Sequence, residues 1–380
     1  MEKVHIPFNR VDFQGNELEY IQQAISNAHI SGDGLFTHKC NSFLEKELGV
    51  NKSLLTTSCT HALEMSTILL DIQSGDEVIV PSFTFVSTVN AFVLHGARPV
   101  FIDIRPDTLN MDETQLEGLI TENTKAIIPV HYAGVGCEMD TIMDIASKYD
   151  IPVVEDNAHG LFGNYKDKYL GTFGTFAVQS FHETKNFSCG EGGALLINDK
   201  NYIERAEIIR EKGTDRSKFF RGAGDGYTWV DRGSSYLPSD LLAAFLYGQL
   251  EQKEKVQTKR KRIWEAYYDG LKTWADENNV GLPFIPDDCE QSYHMFYLLF
   301  ESEKLRNRFL KYMNNNGITA IFHYLPLHIS KMGKKFGKFD CHITESVAKR
   351  IVRLPFWTGL EENQDEVIDK ITRCLYHARI

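Results

Sequence analysis

Between about Leu54 and Ile197, short apolar runs alternate with amphipathic stretches. Glu77–Pro81 (EVIVP), Pro99–Asp103 (PVFID), Lys125–Val130 (KAIIPV), Pro152–Glu155 (PVVE), Phe176–Ser180 (FAVQS) and Ala194–Ile197 (ALLI) are brief and rich in β-branched or aromatic residues. Turn residues bound them, so the pattern predicts buried strands. Apolar positions at helical spacing separate several of these runs, over Thr60–Leu70, Ser87–Leu94, Met111–Ile120 and Asp140–Lys148. Such alternation predicts an α/β chain whose mostly parallel central sheet is covered by helices. A Gly-rich break at Arg221–Gly226 (RGAGDG) precedes a long helical stretch from Ser239 to about Trp274. Beyond it the rhythm changes, with a strand at Tyr293–Phe300, a helix at Glu303–Asn314, a strand at Ala320–Tyr324 and a helix from about Asn363. This predicts a large domain over residues 1–250 and a smaller C-terminal α+β domain over 251–380.

Composition narrows the class. The chain has 380 residues, of which 42% are hydrophobic and 12% aromatic, enough apolar material to exclude a disordered polymer. A net charge of −11 counts against nucleic acid as the partner. No window holds about 18 uncharged apolar residues, so no membrane span is expected. Met1–Arg10 lacks the basic-then-apolar order of a signal peptide, and a cytoplasmic location is expected. The Cys residues form no CxxC pair and the His residues no HExxH pair, so neither a disulfide framework nor a metal site is expected. The basic run Lys259–Arg262 (KRKR) reads as a solvated helix face. Gly222, Gly224 and Gly226 do not follow a predicted strand, and their spacing differs from a dinucleotide-binding loop.

The chemistry concentrates between Pro152 and Gly193. Asp156 follows the PVVE strand, and a carboxylate at the C-terminal end of a buried parallel strand sits where α/β sheets bind ligands. Lys185 lies in Ser180–Asn186 (SFHETKN) and is followed by Gly190–Gly193 (GEGG), whose glycines permit close backbone approach. A lysine there suits a Schiff-base nucleophile. Paired with a carboxylate, it is the protein signature of a pyridoxal 5'-phosphate (PLP) site. The aspartate keeps the pyridine nitrogen protonated, so the ring accepts electrons, while the lysine holds the aldehyde and moves protons. On these two residues alone, a surface lysine and a turn-capping carboxylate is the plainer reading. A phosphate cradle strengthens the case. Thr56–Thr60 (TTSCT) opens a predicted helix, where free N–H groups and small hydroxyls meet a phosphate. Ser180 can add a hydroxyl, and Phe85 in Pro81–Thr88 (PSFTFVST) can stack on the cofactor ring.

Taken together, TTSCT, PSFTFVST, EDNAH (155–159), SFHETKN with GEGG, and FHYLPLH (322–328) resemble the DegT-type sugar-nucleotide aminotransferases, PLP enzymes of fold type I. The resemblance runs from about Ile6 to the C-terminus. Within the family, Ser31–Thr37 (SGDGLFT), Val130–Thr141 (VHYAGVGCEMDT), SFHETKN and Gly233–Asp240 (GSSYLPSD) are most similar to the transaminases that make dTDP-4-amino-4,6-dideoxygalactose. The resemblance implies that Lys185 is the catalytic residue linked to PLP and that Asp156 holds the pyridine nitrogen. It implies His159 near the ring oxygen, Phe85 stacked on the ring, and Cys59 (through its N–H), Thr60 and Ser180 on the phosphate. Relatives often bring an Asn from the neighbouring subunit in a GYNYRMSD-like segment, and here Ser235 takes that place. His323, Tyr324 and His328 are implied on the substrate side, and Arg216 and Arg221 suit a diphosphate. Some relatives carry His in place of the lysine and dehydrate their sugar; here the lysine is present, three residues after His182.

The resemblance further implies a homodimer with shared sites. The implied reaction moves the amino group of L-glutamate to a nucleotide-linked 4-keto-6-deoxy sugar, for a surface polysaccharide such as the lipopolysaccharide O-antigen. Amination at carbon 3, a PLP-dependent sugar dehydration, and a sugar-nucleotide-binding regulator without catalysis are the alternatives.

Overall fold

The computed structural model describes residues 5–220, 222 and 226–374. Arg221 and Gly224, and with them most of the RGAGDG break, lie outside the described residues. Helices α1 (Glu17–Ser26) and α2 (Leu35–Leu48) lead into strand β1 (Lys52–Thr56). Helix α3 (Cys59–Leu69), β2 (Glu77–Pro81), α4 (Val86–Val93), β3 (Arg98–Ile102), β4 (Thr124–Ile127), α5 (Met139–Lys148) and β5 (Val154–Asp156) alternate as the periodicity predicts. After a two-stranded excursion, β6 (Asn164–Tyr165) and β7 (Lys168–Tyr169), the chain returns as β8 (Phe176–Ser180) and β9 (Gly193–Ile197). Cys289–Glu290, β10, later pairs with β6.

Apart from β6, β7 and β10, which pair among themselves, these strands form one layer. Within it β1, β9, β8 and β5 are neighbours in that order, and β3, β2 and β4 follow a second run. Parallel bridges Ile127–Val153 and Val130–Asp156 join the two runs, giving the order β1-β9-β8-β5-β4-β2-β3. Strand β9 is antiparallel to both neighbours, and the β8–β5, β2–β3 and β2–β4 pairs are parallel. One face buries Leu63, Phe92, Val178 and Ile209 against α3, α4 and α6 (Ile203–Arg210). Part of the other packs Phe36, Leu44, Phe181 and Leu246 with α2 and α8, Asp240–Leu250, which follows the short α7 (Arg216–Phe220).

Beyond the sheet, α9 (Lys253–Glu277), α10 (Glu303–Asn315), α11 (His342–Arg350) and α12 (Gln364–Cys374) surround the short antiparallel pair β11 (Tyr297–Leu299) and β12 (Ile351–Arg353). A separate core lies here, around Trp264, Tyr267, Phe296, Phe309, Val352 and Ile371. Ile6 joins it: its N–H donates to the Gly317 carbonyl and its own carbonyl accepts from Thr319. The segment around Ile6 therefore packs with the C-terminal core.

Several expectations change. Met111–Ile120 is not an α-helix but two single 3₁₀ turns, Glu113–Gln115 and Glu117–Leu119, the first capped by the Asp112 carboxylate, which accepts from the Thr114 N–H. The stretch from Ser239 to Trp274 is two helices, broken between Leu250 and Lys253. Residues 12–17 pack against that break: Gln249 donates to the Asp12 carbonyl and Lys255 to the Gln14 carbonyl. Ala320–Tyr324 makes one bridge, Ile321–Arg353, rather than a strand. In the basic run, Arg260 is buried, donating to the Tyr293 and His294 carbonyls and lying over Phe356, so the run is only partly a solvated face. No helix of the described residues is long and apolar enough to cross a membrane.

Asp103, just past β3, ties the sheet to the C-terminal region. Its buried carboxylate accepts from the N–H groups of Ile343 and Thr344 and from the Thr344 hydroxyl, capping α11 from outside. Asp103→Ala is expected to lower the unfolding free energy by about 1–2 kcal/mol, read from the urea midpoint with the slope unchanged.

Candidate active site

Four chain crossings at the C-terminal ends of the parallel strands converge on one cavity of about 420 Å³. From β1 the chain enters α3, whose N-cap Ser58 adopts an extended conformation and accepts from the His61 N–H at 3.1 Å. Helix geometry leaves the N–H groups of Cys59 and Thr60 without intrahelical acceptors. The Thr60 hydroxyl donates to Ser87 Oγ at 2.8 Å, linking the starts of α3 and α4. Gly193 of β9 packs beneath this turn, where a Cβ would sit 2.4 Å from the Cys59 nitrogen, so only glycine leaves the helix terminus in place.

Strand β5 delivers Asp156, which is only 5% exposed. Its Oδ2 accepts from the Thr88 hydroxyl at 2.7 Å and its Oδ1 from the Ala158 N–H at 3.1 Å. Strand β8 ends at Ser180, and the chain then turns through Phe181–Gly192 to carry Lys185. That loop is closed on itself: Phe181 donates to the Gly192 carbonyl, Glu183 to the Gly190 carbonyl, and Lys185 to the His182 carbonyl. Asn186 anchors it to the C-terminal region, donating to the Ser292 carbonyl at 2.7 Å and accepting from His294 Nδ1 at 2.9 Å.

The electrostatics follow from burial. Loss of solvent pushes the Lys185 ammonium down to about 8, with Arg353 acting in the same direction and the Asp156 carboxylate pulling it up. Burial drives the Cys59 thiol well above its ordinary range, so it stays neutral. The His159 imidazole is held well below its ordinary range by burial, with Lys185 and Arg353 acting in the same direction. Its ring stacks on His294 at 4.3 Å, and its Nδ1 is buried with no partner. Phe85 caps the start of α4 and is 57% exposed, leaving a ring face open at the cavity.

The cavity thus gathers Cys59, Thr60, Phe85, Asp156, His159, Ser180, Lys185, His323 and Tyr324, all singled out in the sequence. The others lie elsewhere. His328 is buried between Ser82, which meets its Nδ1 at 2.6 Å, and Glu345, 3.2 Å from its Nε2; the tight LPLH turn folds it into the protein instead of the cavity. Ser235 and Arg216 line a second hollow that also contains Asp33 and Arg210, and Arg216 is ion-paired with Glu211 at 3.1 Å. Sequence reasoning missed Thr88, His294 and Arg353 on the cavity wall. His294 and Arg353 each interrupt an apolar run (HMFYLLF and IVRLPF), and a polar residue inside such a run is itself a signal.

The residues present fit PLP. A helix N-terminus with hydroxyls suits its phosphate, a buried carboxylate its pyridine nitrogen, an orphaned His159 nitrogen a ring substituent, and a half-buried lysine its aldehyde.

Comparison with known proteins agrees. Residues 12–372 match the profile of the DegT/DnrJ/EryC1/StrS aminotransferase family. An uncharacterized protein of Methanocaldococcus jannaschii is 35% identical over 346 residues, covering 88% of each chain. Among solved structures, a candidate sugar aminotransferase of Streptococcus pneumoniae, Spr1654 in its PMP form, superposes with a TM-score of 0.90 at 27% identity, over 98% of this chain and 99% of that one. The aminotransferase TlmJ of Streptoalloteichus hindustanus gives 0.91 at 25% identity, over 99% and 100% of the two chains. The chain belongs to the DegT/DnrJ/EryC1/StrS aminotransferase family, with the fold type I architecture and pyridoxal phosphate as its cofactor.

Proposed function

We propose that this aminotransferase aminates a nucleotide-linked 4-keto-6-deoxy sugar, with L-glutamate as donor and dTDP-4-amino-4,6-dideoxygalactose as the product. The observation that carries the reading is the meeting of Lys185, Asp156 and the α3 N-terminus in one cavity. The four stretches that set the chain beside the 4-amino sugar branch support the finer substrate assignment. The product would serve a surface polysaccharide such as the O-antigen, made in the cytoplasm.

PLP, when bound, supplies an electron sink that stabilises a carbanion at the donor carbon. Lys185 then serves as the base. Its low proton affinity lets a useful fraction be neutral near pH 7, so Nζ can take the donor α-proton and return a proton to the acceptor carbon. Asp156 holds a proton on the ring nitrogen; Thr88 and the Ala158 N–H fix its carboxylate in place. Cys59 through its N–H, Thr60 and Ser180 hold the phosphate, Phe85 covers one ring face, and His159 offers Nδ1 to the ring oxygen. His323 and Tyr324 bound the sugar side. In this reading Ser235, Arg216 and Arg221 serve the site of a neighbouring subunit in a homodimer, Ser235 on the phosphate and the arginines on the diphosphate. The chain divides near residue 250 into a cofactor-binding part (1–250) and a smaller part (251–380) that closes the sugar side, with residues 5–8 strapped to the latter.

Three outcomes test this. L-Glutamate added to the holoenzyme is expected to abolish its visible cofactor band, and a dTDP-4-keto-6-deoxy sugar to restore it. Lys185→Ala should lose that cycle and at least about 10²–10⁴-fold in turnover; full activity in this variant would sink the mechanism. In the cofactor-free protein, Lys185 should react with an amine-directed label at a rate rising through about pH 8, where an ordinary lysine titrates near 10.4. Peptide mapping of the label against pH reads the midpoint, and a value near 10 contradicts the burial argument.

A further inference from the structure

His294 lines the cavity, and the roles above leave it unused. Its imidazole lies against that of His159, with centroids 4.3 Å apart and planes 17° apart. Among the described residues the His159 ring makes no hydrogen bond, and its Nδ1 is buried with no partner. Tyr132 meets this ring edge-on at 6.0 Å, and the His323 ring is 6.3 Å away. A ring without hydrogen bonds takes its orientation from what it packs against. For His159 the nearest ring is that of His294.

His294, by contrast, is tied down. Asn186 gives its amide hydrogen to the Ser292 carbonyl, so its oxygen faces His294 Nδ1 at 2.9 Å, and that nitrogen carries the hydrogen. Arg260 donates to the Tyr293 carbonyl at 3.0 Å and to the His294 carbonyl at 2.7 Å. Between them Tyr293 has φ +53°, in the left-handed region that a tyrosine rarely adopts, and such a turn persists only where its surroundings hold it. The Ser292 hydroxyl donates to the His159 carbonyl, and the Ser292 N–H to the Gly134 carbonyl at 3.1 Å. At Gly134 a Cβ would lie 2.0 Å from Ser292 Oγ, so the segment seats only against glycine.

We infer that His294 is a positioning residue for His159, fixing the plane of the imidazole that meets the cofactor's ring oxygen. The inference deepens the proposed role of His159 and rests on it. Burial and the surrounding cations, Lys185 and Arg353 for both rings and Arg260 for His294, keep the two imidazoles neutral. Neutral rings stack without charge repulsion, and a neutral His159 has one N–H to give. Asn186 follows Lys185 in the chain, so the amide that holds His294 also holds the lysine loop. The donor to the ring oxygen and the lysine that takes the aldehyde are thereby kept in register.

The test is the pH midpoint of the visible cofactor band in holoenzyme without substrate. Loss of the proton that Lys185 Nζ holds beside the ring oxygen leaves the negative charge of that oxygen uncompensated. An N–H from His159 stabilises this form and lowers the midpoint. His159→Leu is therefore expected to raise it by about one pH unit. His294→Gln, which keeps a donor for Asn186 but no ring, should raise it by about half a unit, and His294→Phe, which keeps a ring to stack, should stay within about 0.2 unit of wild type. In the double variant, His159→Leu with His294→Gln, the shift should equal that of His159→Leu alone, because a residue that acts through another adds nothing once the other is gone. Should His294→Gln fail to melt cooperatively, His294→Leu takes its place. A midpoint unmoved by loss of the His294 ring, with His159→Leu shifted, overturns the inference and leaves the role of His159 standing. Fully additive shifts in the double variant do the same. An unmoved midpoint in His159→Leu overturns the role of His159 and the inference with it, and a PLP-loaded protein without a visible band overturns the functional reading itself.

Discussion

The site depends on a carboxylate held where water scarcely reaches. Asp156 is locked at the end of β5 by its backbone, whose N–H donates to the Pro129 carbonyl and whose carbonyl accepts from His131. Its side chain has two hydrogen bonds and, among the described residues, no ion-paired cation. A buried carboxylate of this kind calls for compensation, which in the proposed reading a protonated pyridine would supply. The α3 terminus, the lysine loop and the His159 ring face the same cavity.

A second layer of polar ties brings the C-terminal region to the sheet. Asn186, next to the lysine, meets both Ser292 and His294. His328 joins the end of β2 to α11 through Ser82 and Glu345, and Asp103 caps α11 from β3. These contacts seat β12 and its Arg353 on the cavity wall and exclude the water that would otherwise return Lys185 to ordinary basicity. The low proton affinity of the lysine is therefore a property of how the two regions close together, not of the SFHETKN segment alone.

The strands of the large sheet were legible because each buried run is short, β-branched and bounded by turns, as in EVIVP and FAVQS. So was most of the cavity wall, since strand ends and helix starts carry it. What escaped was set by distant contacts. Nothing in LEQKEK marks the break before α9; residues 12–17, far away in sequence, make it. The expected strand at Tyr293–Phe300 shrinks to Tyr297–Leu299 because side chains of Asn186 and Arg260 take the carbonyls of Ser292, Tyr293 and His294. Arg353 was hidden for the same reason: its neighbours His323 and Phe8 lie 30 and 345 residues away in sequence. His328 was the converse, a motif residue whose turn points it into the protein.

Lys185, opposite Asp156, is proposed as the point at which the protein holds its cofactor. The most direct measurement is borohydride reduction of the PLP-loaded protein, followed by digestion and mass spectrometry of the modified peptide. A single pyridoxyl group is expected, on Lys185 within the SFHETKN peptide. A pyridoxyl group on another lysine, or none after PLP is supplied, would contradict it.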